Sequence, residues 1–479
     1  MKNKVLKLLS AFLSLMVLGA SALEAQDFNL SGISAADIKA TSADLKVPAV
    51  AEISAVTPAY AGLLAAGSCG TQACAVRKTL DSIESGVTQG TRNEMNMLFE
   101  LRRELGRSGA DSSMSATDMR ELISRARHLQ DDIAVSLMAG GGLNSGEPFK
   151  GELSVQKAAD FRFPDDLMIG DIMLSRGTNM MGSLAARMSE TPGEYSHLGV
   201  VYRDTETRGL VILASDSGVG ATVEPIEKFL AGRVRLMVMR YKDAGPAEKA
   251  AQLMRARLEK NVPYDYSLNS DDDSALYCTE IAATGFKMAG QIKVPLQMSR
   301  LPGAGRSAMY SNIGIAGPSV FLPQDLEVDP RFEVMTEWTD YSKISELNEV
   351  DAVYGKMAQW MDRENYVFTK NILNQGIGRI LATLAGKKIR DTVGGLGGSV
   401  ITNGFDYGLT LYQFVTLLRA KMDESIKNKT GYRSLADMNK ILEDIRVEEY
   451  RQYKDAFLYG GGENASSVNM HSYFKPRRM

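Results

Sequence analysis

The sequence predicts an α+β chain: a small antiparallel sheet with a packed helix, flanked by N- and C-terminal helical segments. Three observations carry this. Runs of β-forming residues cluster between about 165 and 300, at Leu198–Tyr202, Leu210–Ala214 and Arg235–Tyr241. Before that window, Met95, Leu98, Phe99, Leu101 and Leu105 recur at helical spacing with charges opposite. After Pro330 helical patterning returns, clearest over about 405 to 455.

The first element is a targeting segment. Lys2, Lys4 and Lys7 precede an apolar run from Leu8 to Ala20, and Ala20-Ser21-Ala22 fits a small-x-small cleavage site. The run is shorter than the roughly 20 apolar residues of a membrane span. Residues 1–22 therefore read as a signal peptide, with an uncleaved anchor as the alternative. Export to the periplasm or beyond is the expectation. No cysteine follows the run closely, so no lipoprotein anchor is indicated.

Residues 23–76 are rich in Ala and Ser and read as a flexible linker. Cys69 and Cys74 bracket Gly70-Thr71-Gln72-Ala73, and in an oxidising compartment they are expected to close a disulfide loop. Cys278 is then the unpaired member of the 3 cysteines. The alternative is three free thiols. Residues 77–140 form the helical segment. Ser115-Ala116-Thr117-Asp118 opens a second helix through Leu122, Ile123 and Leu129. His128 lies on it and reads as a surface or capping side chain. Gly140-Gly141-Gly142 breaks the helix and marks a boundary.

Residues 150–330 form the core, with Asp204–Gly209 as a hairpin loop and Ala247–Leu258 as a helix. Residues 331–479 form the helical C-terminal region. Tyr366 to Ile389 reads as an amphipathic helix, with Lys370, Arg379, Lys387, Lys388 and Arg390 as its cations. It either packs on its own domain or contacts an anionic membrane surface. The run Gly394-Gly395-Leu396-Gly397-Gly398 has no P-loop lysine, which argues against phosphate binding. Phe474-Lys475-Pro476-Arg477-Arg478 reads as a solvated basic tail.

Composition bounds the function. The 479 residues suffice for two or three domains, and 44% apolar content supports a core. Charge is balanced, 55 basic against 58 acidic residues, so there is no nucleic-acid footprint and no nucleic-acid partner is expected. No Cys/His cluster has ligand spacing, so neither metal nor cofactor is expected.

Chemistry concentrates in two motifs. Glu194-Tyr195-Ser196-His197-Leu198-Gly199-Val200-Val201-Tyr202 reads as a polar turn that delivers a histidine onto a strand. Ala275-Leu276-Tyr277-Cys278-Thr279-Glu280-Ile281 reads as a loop that delivers a cysteine to the start of a helix. A thiol beside an imidazole is the minimal arrangement for acyl transfer. A helix start and a nearby imidazolium are both expected to favour the thiolate. The bland alternative is a buried cysteine that only packs.

Gly170-Asp171-Ile172, then Ser196-His197-x-Gly199, then Tyr277-Cys278-Thr279-Glu280 stand in an order that resembles the circularly permuted papain-like amidases of the YiiX/YaeF type. These are relatives of the NlpC-type cell-wall peptidases. The resemblance covers about Asp165 to Arg300, and Pro323-x-Asp325-Leu326-x-x-Asp329-Pro330-Arg331-Phe332 is similar to a segment that follows the core there. It implies a permuted papain-like core, with Cys278 as nucleophile and His197 as base. It also implies a peptide or lipid-linked amide or ester as substrate. The family takes a third polar group, often Glu, from the strand after the histidine strand. Here that strand, Leu210 to Asp216, has no Glu. Asp216 is the candidate, with a turn residue as its alternative role. The rival functions are a noncatalytic envelope binding or scaffold protein that retains the fold, and a lipid acyltransferase.

Overall fold

The computed structural model describes residues 72–86, 91–108, 114–139, 155–156, 161–204, 208–217, 219–303, 305–315, 317–369, 398–427, 432–459 and 469–477. Among the described residues the order begins with α1 (Gln72–Gly86), α2 (Arg92–Ser108) and α3 (Ala116–Ala139). Reciprocal capping starts α2. Thr91 Oγ1 accepts from the Glu94 N–H at 3.3 Å, and Glu94 Oε2 accepts from the Thr91 N–H at 2.7 Å. Ser115 Oγ plays the same part for α3, accepting from the Asp118 N–H at 3.1 Å.

The centre is a seven-stranded sheet in the order β1-β9-β6-β2-β3-β4-β5, and every pairing is antiparallel. Its strands are β1 (Val155–Gln156), β2 (Ile172–Arg176), β3 (His197–Arg203), β4 (Leu210–Asp216), β5 (Gly220–Pro225), β6 (Arg235–Tyr241) and β9 (Phe332–Thr339). A short α4 (Met180–Ala186) sits between β2 and β3, and α5 (Ile226–Leu230) between β5 and β6. Then come α6 (Ala244–Leu258) and α7 (Glu280–Gly290). A two-stranded ribbon of β7 (Ser299–Arg300) and β8 (Ser319–Val320) flanks α8 (Ser307–Asn312).

Alternation along the strands divides the sheet into two faces. Leu174, Leu198, Val200, Leu213 and Met237 pack with residues of α6 and α7. Met173, Val201, Ile212, Ala214 and Val238 pack with Phe229 of α5 and with Trp338. Gly199 explains the glycine of the histidine motif. A Cβ there would lie 2.2 Å from Ile212 Cγ2, so only a bare backbone fits.

Beyond the sheet lie α9 (Ile344–Glu364), β10 (Tyr366–Phe368), α10 (Gly398–Ile426), α11 (Leu435–Tyr459) and β11 (Phe474–Pro476). Among the described residues no helix is long and apolar enough to cross a membrane.

Several expectations are corrected. The sheet is larger than expected, because Phe332–Thr339 is a full strand and not the start of a helical region. Its burial on both faces hides the period-two signal. Residues 72–76 belong to α1, not to a linker. Tyr366–Phe368 pairs with Phe474–Pro476, so neither the helix expected at 366–369 nor the solvated tail at 474–476 exists there. Residues 370–397, the rest of the expected amphipathic helix, lie outside the described residues, as do 1–71 and the glycine run at 140–142.

The N-terminal helices dock on the sheet through buried charge. Glu337 on β9 accepts from Arg102 of α2 at 2.6 Å and from Arg127 of α3 at 3.1 Å. Arg127 also reaches Glu327 at 2.5 Å, and Asp131 of α3 accepts twice from Arg235 of β6, at 2.9 and 2.5 Å. Burial would raise the Glu337 pKa, but Arg102 and Arg127 overcome it and hold the carboxyl down at about 2. Replacing Glu337 by Ala is expected to destabilise the protein by about 3–5 kcal/mol in urea unfolding, because two guanidinium groups lose their partner inside the fold.

Candidate active site

The cysteine segment is clamped before the helix begins. The Leu276 N–H donates to the Pro263 carbonyl at 2.9 Å. Ser215 Oγ, from the end of β4, donates to the Leu276 carbonyl at 2.6 Å. The Tyr277 hydroxyl accepts the Phe321 N–H at 3.1 Å and lies 2.9 Å from Ser270 Oγ. Thr279 Oγ1 donates to the Phe321 carbonyl at 2.8 Å. Glu280 Oε2 accepts the Tyr277 N–H at 3.0 Å, across Cys278. The thiol is therefore held by bonds on both sides of it in sequence.

Its sulfur points at the start of β3. Cys278 Sγ lies 4.0 Å from the Ser196 carbonyl oxygen. The backbone N–H groups of Thr279 and Leu198 also face the sulfur. The thiol thus meets the main chain immediately before and after His197. The imidazole turns toward two other groups. It stacks on Phe229 with ring centroids 5.4 Å apart, and its Nε2 lies 3.4 Å from Asp216 Oδ1.

The register explains the last contact. β3 and β4 pair Val200 with Leu213, and three residues further along each strand the same register sets His197 (200 − 3) opposite Asp216 (213 + 3). Alternation then sends both side chains to the same face. The approach is close but out of line: Nε2 makes no hydrogen bond in this geometry.

Burial governs the protonation states. It pushes the Cys278 thiol up to about 12, with the negative charge of Asp216 adding to the effect. It pushes His197 down to about 3, helped by the cation of Arg233. It also raises Asp216, against Arg233 and Lys228. The lowering expected from the helix start is present but is not the dominant effect. The backbone N–H groups favour the thiolate, but desolvation outweighs them. At neutral pH the resting pair is thiol and neutral imidazole.

Three neighbours were not read from the sequence. Tyr264 responds electrostatically to both Cys278 and Asp216, and burial raises its hydroxyl pKa. Glu224 is buried on β5 and acts on His197 with opposite sign to Arg233. Phe229 supplies the ring under the imidazole. These positions come from β5, α5 and a loop distant in sequence from His197, so no local motif announces them. Cys278 is free, and Cys74 is disulfide-bonded. Cys69, its expected partner, lies outside the described residues. Among the described residues no group of three or more His, Cys, Asp or Glu side chains is arranged to hold a metal.

Residues 167–335 match the family described as permuted papain-like amidase enzyme, YaeF/YiiX, C92 family. Over these residues the chain is similar to the permuted papain-like amidases of the YiiX type. The matched segment runs from just before β2 into the first half of β9 and contains His197, Asp216 and Cys278. This match supports a cysteine hydrolase or amidase kind of function. Among solved structures, the chain is similar to the metalloprotein yiiX from Escherichia coli O157:H7 at 19% identity, with a TM-score of 0.29. That similarity covers 36% of this chain and 98% of that one. No curated protein matches the chain.

Alkylation tests the protonation states. Iodoacetamide is expected to modify native Cys278 at pH 7 on the order of 10²–10³-fold more slowly than a free thiol, which has a pKa near 8.5. The rate should climb with pH and show no plateau between pH 4 and 7, where a thiolate–imidazolium pair would produce one. Peptide mass spectrometry over a pH series reads this directly.

Proposed function

We propose that the protein is an exported cysteine hydrolase that cleaves an amide or ester through an acyl-enzyme at Cys278. The observation that carries the reading is the clamped sulfur, aimed at the backbone on either side of His197, with Asp216 3.4 Å from the imidazole. The disulfide at Cys74 supports export, because such bonds persist in oxidising compartments.

The mechanism starts from neutral partners. Substrate entry brings a carbonyl carbon against Cys278 Sγ. The S–H proton passes to His197 as the C–S bond forms, so no free thiolate has to exist beforehand. The imidazole nitrogen not facing Asp216, Nδ1, takes this proton. The imidazolium formed in this step gains what the neutral ring lacks, an attraction to the Asp216 carboxylate. A small rotation would bring the 3.4 Å contact into line. The carbonyl oxygen becomes an oxyanion, and the role of holding it falls in this reading to the Cys278 backbone N–H just before α7. Collapse expels the amine or alcohol, which takes the proton from His197. Water, deprotonated by His197, then attacks the thioester and frees the acid and the thiol.

The substrate is read as a cell-wall peptide or a lipid-linked acyl group. An activated acyl ester, such as a p-nitrophenyl ester, tests the chemistry apart from that choice. It should leave one acyl group on the Cys278 peptide with a burst of nitrophenol. Cys278→Ala should abolish acylation and turnover while its circular dichroism and unfolding midpoint stay native-like. An active Cys278→Ala variant would falsify the nucleophile assignment. Asp216→Ala should lower kcat by about 10-fold or more, with Cys278 still open to alkylation. Near-full activity in that variant would remove Asp216 from the mechanism.

A further inference from the structure

We infer that His128 of α3 and Glu194 form a positioning pair that sets the segment carrying His197, so that the N-terminal helices belong to the catalytic unit. The inference rests on the hydrolase reading of the site. Its primary readout does not.

Three donors converge on one carboxylate oxygen. His128 Nε2 lies 3.0 Å from Glu194 Oε1, Ser124 Oγ donates to the same atom at 3.1 Å, and Arg187 Nη2 lies 3.5 Å from it. Ser124 and His128 are four residues apart on α3 and share one face. Glu194 itself is 2% exposed, so its charge depends on these partners.

Glu194 opens the run Glu194-Tyr195-Ser196-His197, and that run has little freedom. Arg187 also holds the Gly193 carbonyl, and the Gly193 N–H donates to the Ala186 carbonyl at 2.8 Å. Tyr195 is fully buried, with Arg127 5.0 Å over its ring and its hydroxyl donating to Glu337 at 3.3 Å. The Ser196 N–H donates to the Ser175 carbonyl at 3.1 Å. A shift at Glu194 therefore has one tightly packed residue to cross before it reaches Ser196, whose carbonyl faces the thiol, and then His197.

The charges around His128 come from every element packed on it. Asp131 and Asp132 share its helix, Glu194 lies on the entry loop, Arg187 follows α4, and Arg235 on β6 engages Asp131 and acts on Glu194. Burial would lower the His128 pKa, but Glu194 overcomes it and raises the value above 6.5. Burial would raise Glu194, but His128 and Arg187 hold it well below the usual carboxylate range. The sign follows. The paired contribution is fully present below about pH 6.5, the unfolded histidine value, and is lost as pH rises through the raised pKa of His128. His197 stays neutral throughout, since its own pKa lies at about 3.

The chain has 3 histidines, so each ring resonance is assignable by single substitution. In a pH titration followed by ¹H–¹³C NMR of the full chain, the His197 ring signal is expected to inflect at the pKa of His128. In His128→Gln, which keeps a hydrogen bond to Glu194 but cannot titrate there, the inflection should vanish. In His128→Ala, kcat with the acyl ester should fall about 10-fold with KM little changed, because misplacement of the base costs the chemical step more than binding. His128→Gln should restore most of that loss. A His197 signal that is flat through this range, or that inflects equally in His128→Gln, overturns the inference. Absence of turnover in every form, with the inflection present, sinks the hydrolase reading and leaves the positioning pair intact.

Discussion

The fold depends on a carboxylate inside it. Glu337 sits on β9 at 1% exposure, between guanidinium groups from two N-terminal helices. An unpaired charge at that depth would cost many kcal/mol, so the helices that neutralise it are part of the folded core. The same carboxylate accepts from the Tyr195 hydroxyl, two residues before His197. One buried anion thus joins the N-terminal segment, the sheet and the candidate base. The family match covers residues 167–335 and so includes neither Glu337 nor the two helices whose arginines pair with it.

The candidate site works under a second constraint, desolvation. A cysteine at a helix start beside a histidine resembles an activated thiolate on paper. In the folded protein the low local dielectric favours the uncharged forms of Cys278, His197 and Asp216 together. The proposed mechanism meets this constraint by coupling proton transfer to attack once substrate is in place. The clamp around Leu276–Glu280 suits this, because it fixes the sulfur without charging it. A neutral thiol also reacts slowly with adventitious oxidants.

The helix α3 shows why polar faces mislead. Its side toward the core carries Arg120, Ser124, Arg127, His128 and Asp131, all engaged with partners distant in sequence. From the sequence, His128 reads as a surface or capping group. In the structure these residues are the docking surface, since each finds an opposite charge or an acceptor on the sheet or its loops.

What the sequence determined by itself was local. Strands β3, β4 and β6, helices α2, α3 and α6, and the two motifs bearing His197 and Cys278 were legible, because apolar periodicity and turn chemistry act over a few residues. Asp216 was legible only as the polar end of a strand. Tertiary structure decided the rest. The register of β3 against β4 brought Asp216 to the imidazole. The strand at Phe332–Thr339 took its place because neighbours on both edges complete its ladder, which no local pattern encodes. Protonation of the site followed from burial, a property of the packed whole. Sequence fixes which groups can ionise, but only the fold sets the dielectric and the partners that decide whether they do.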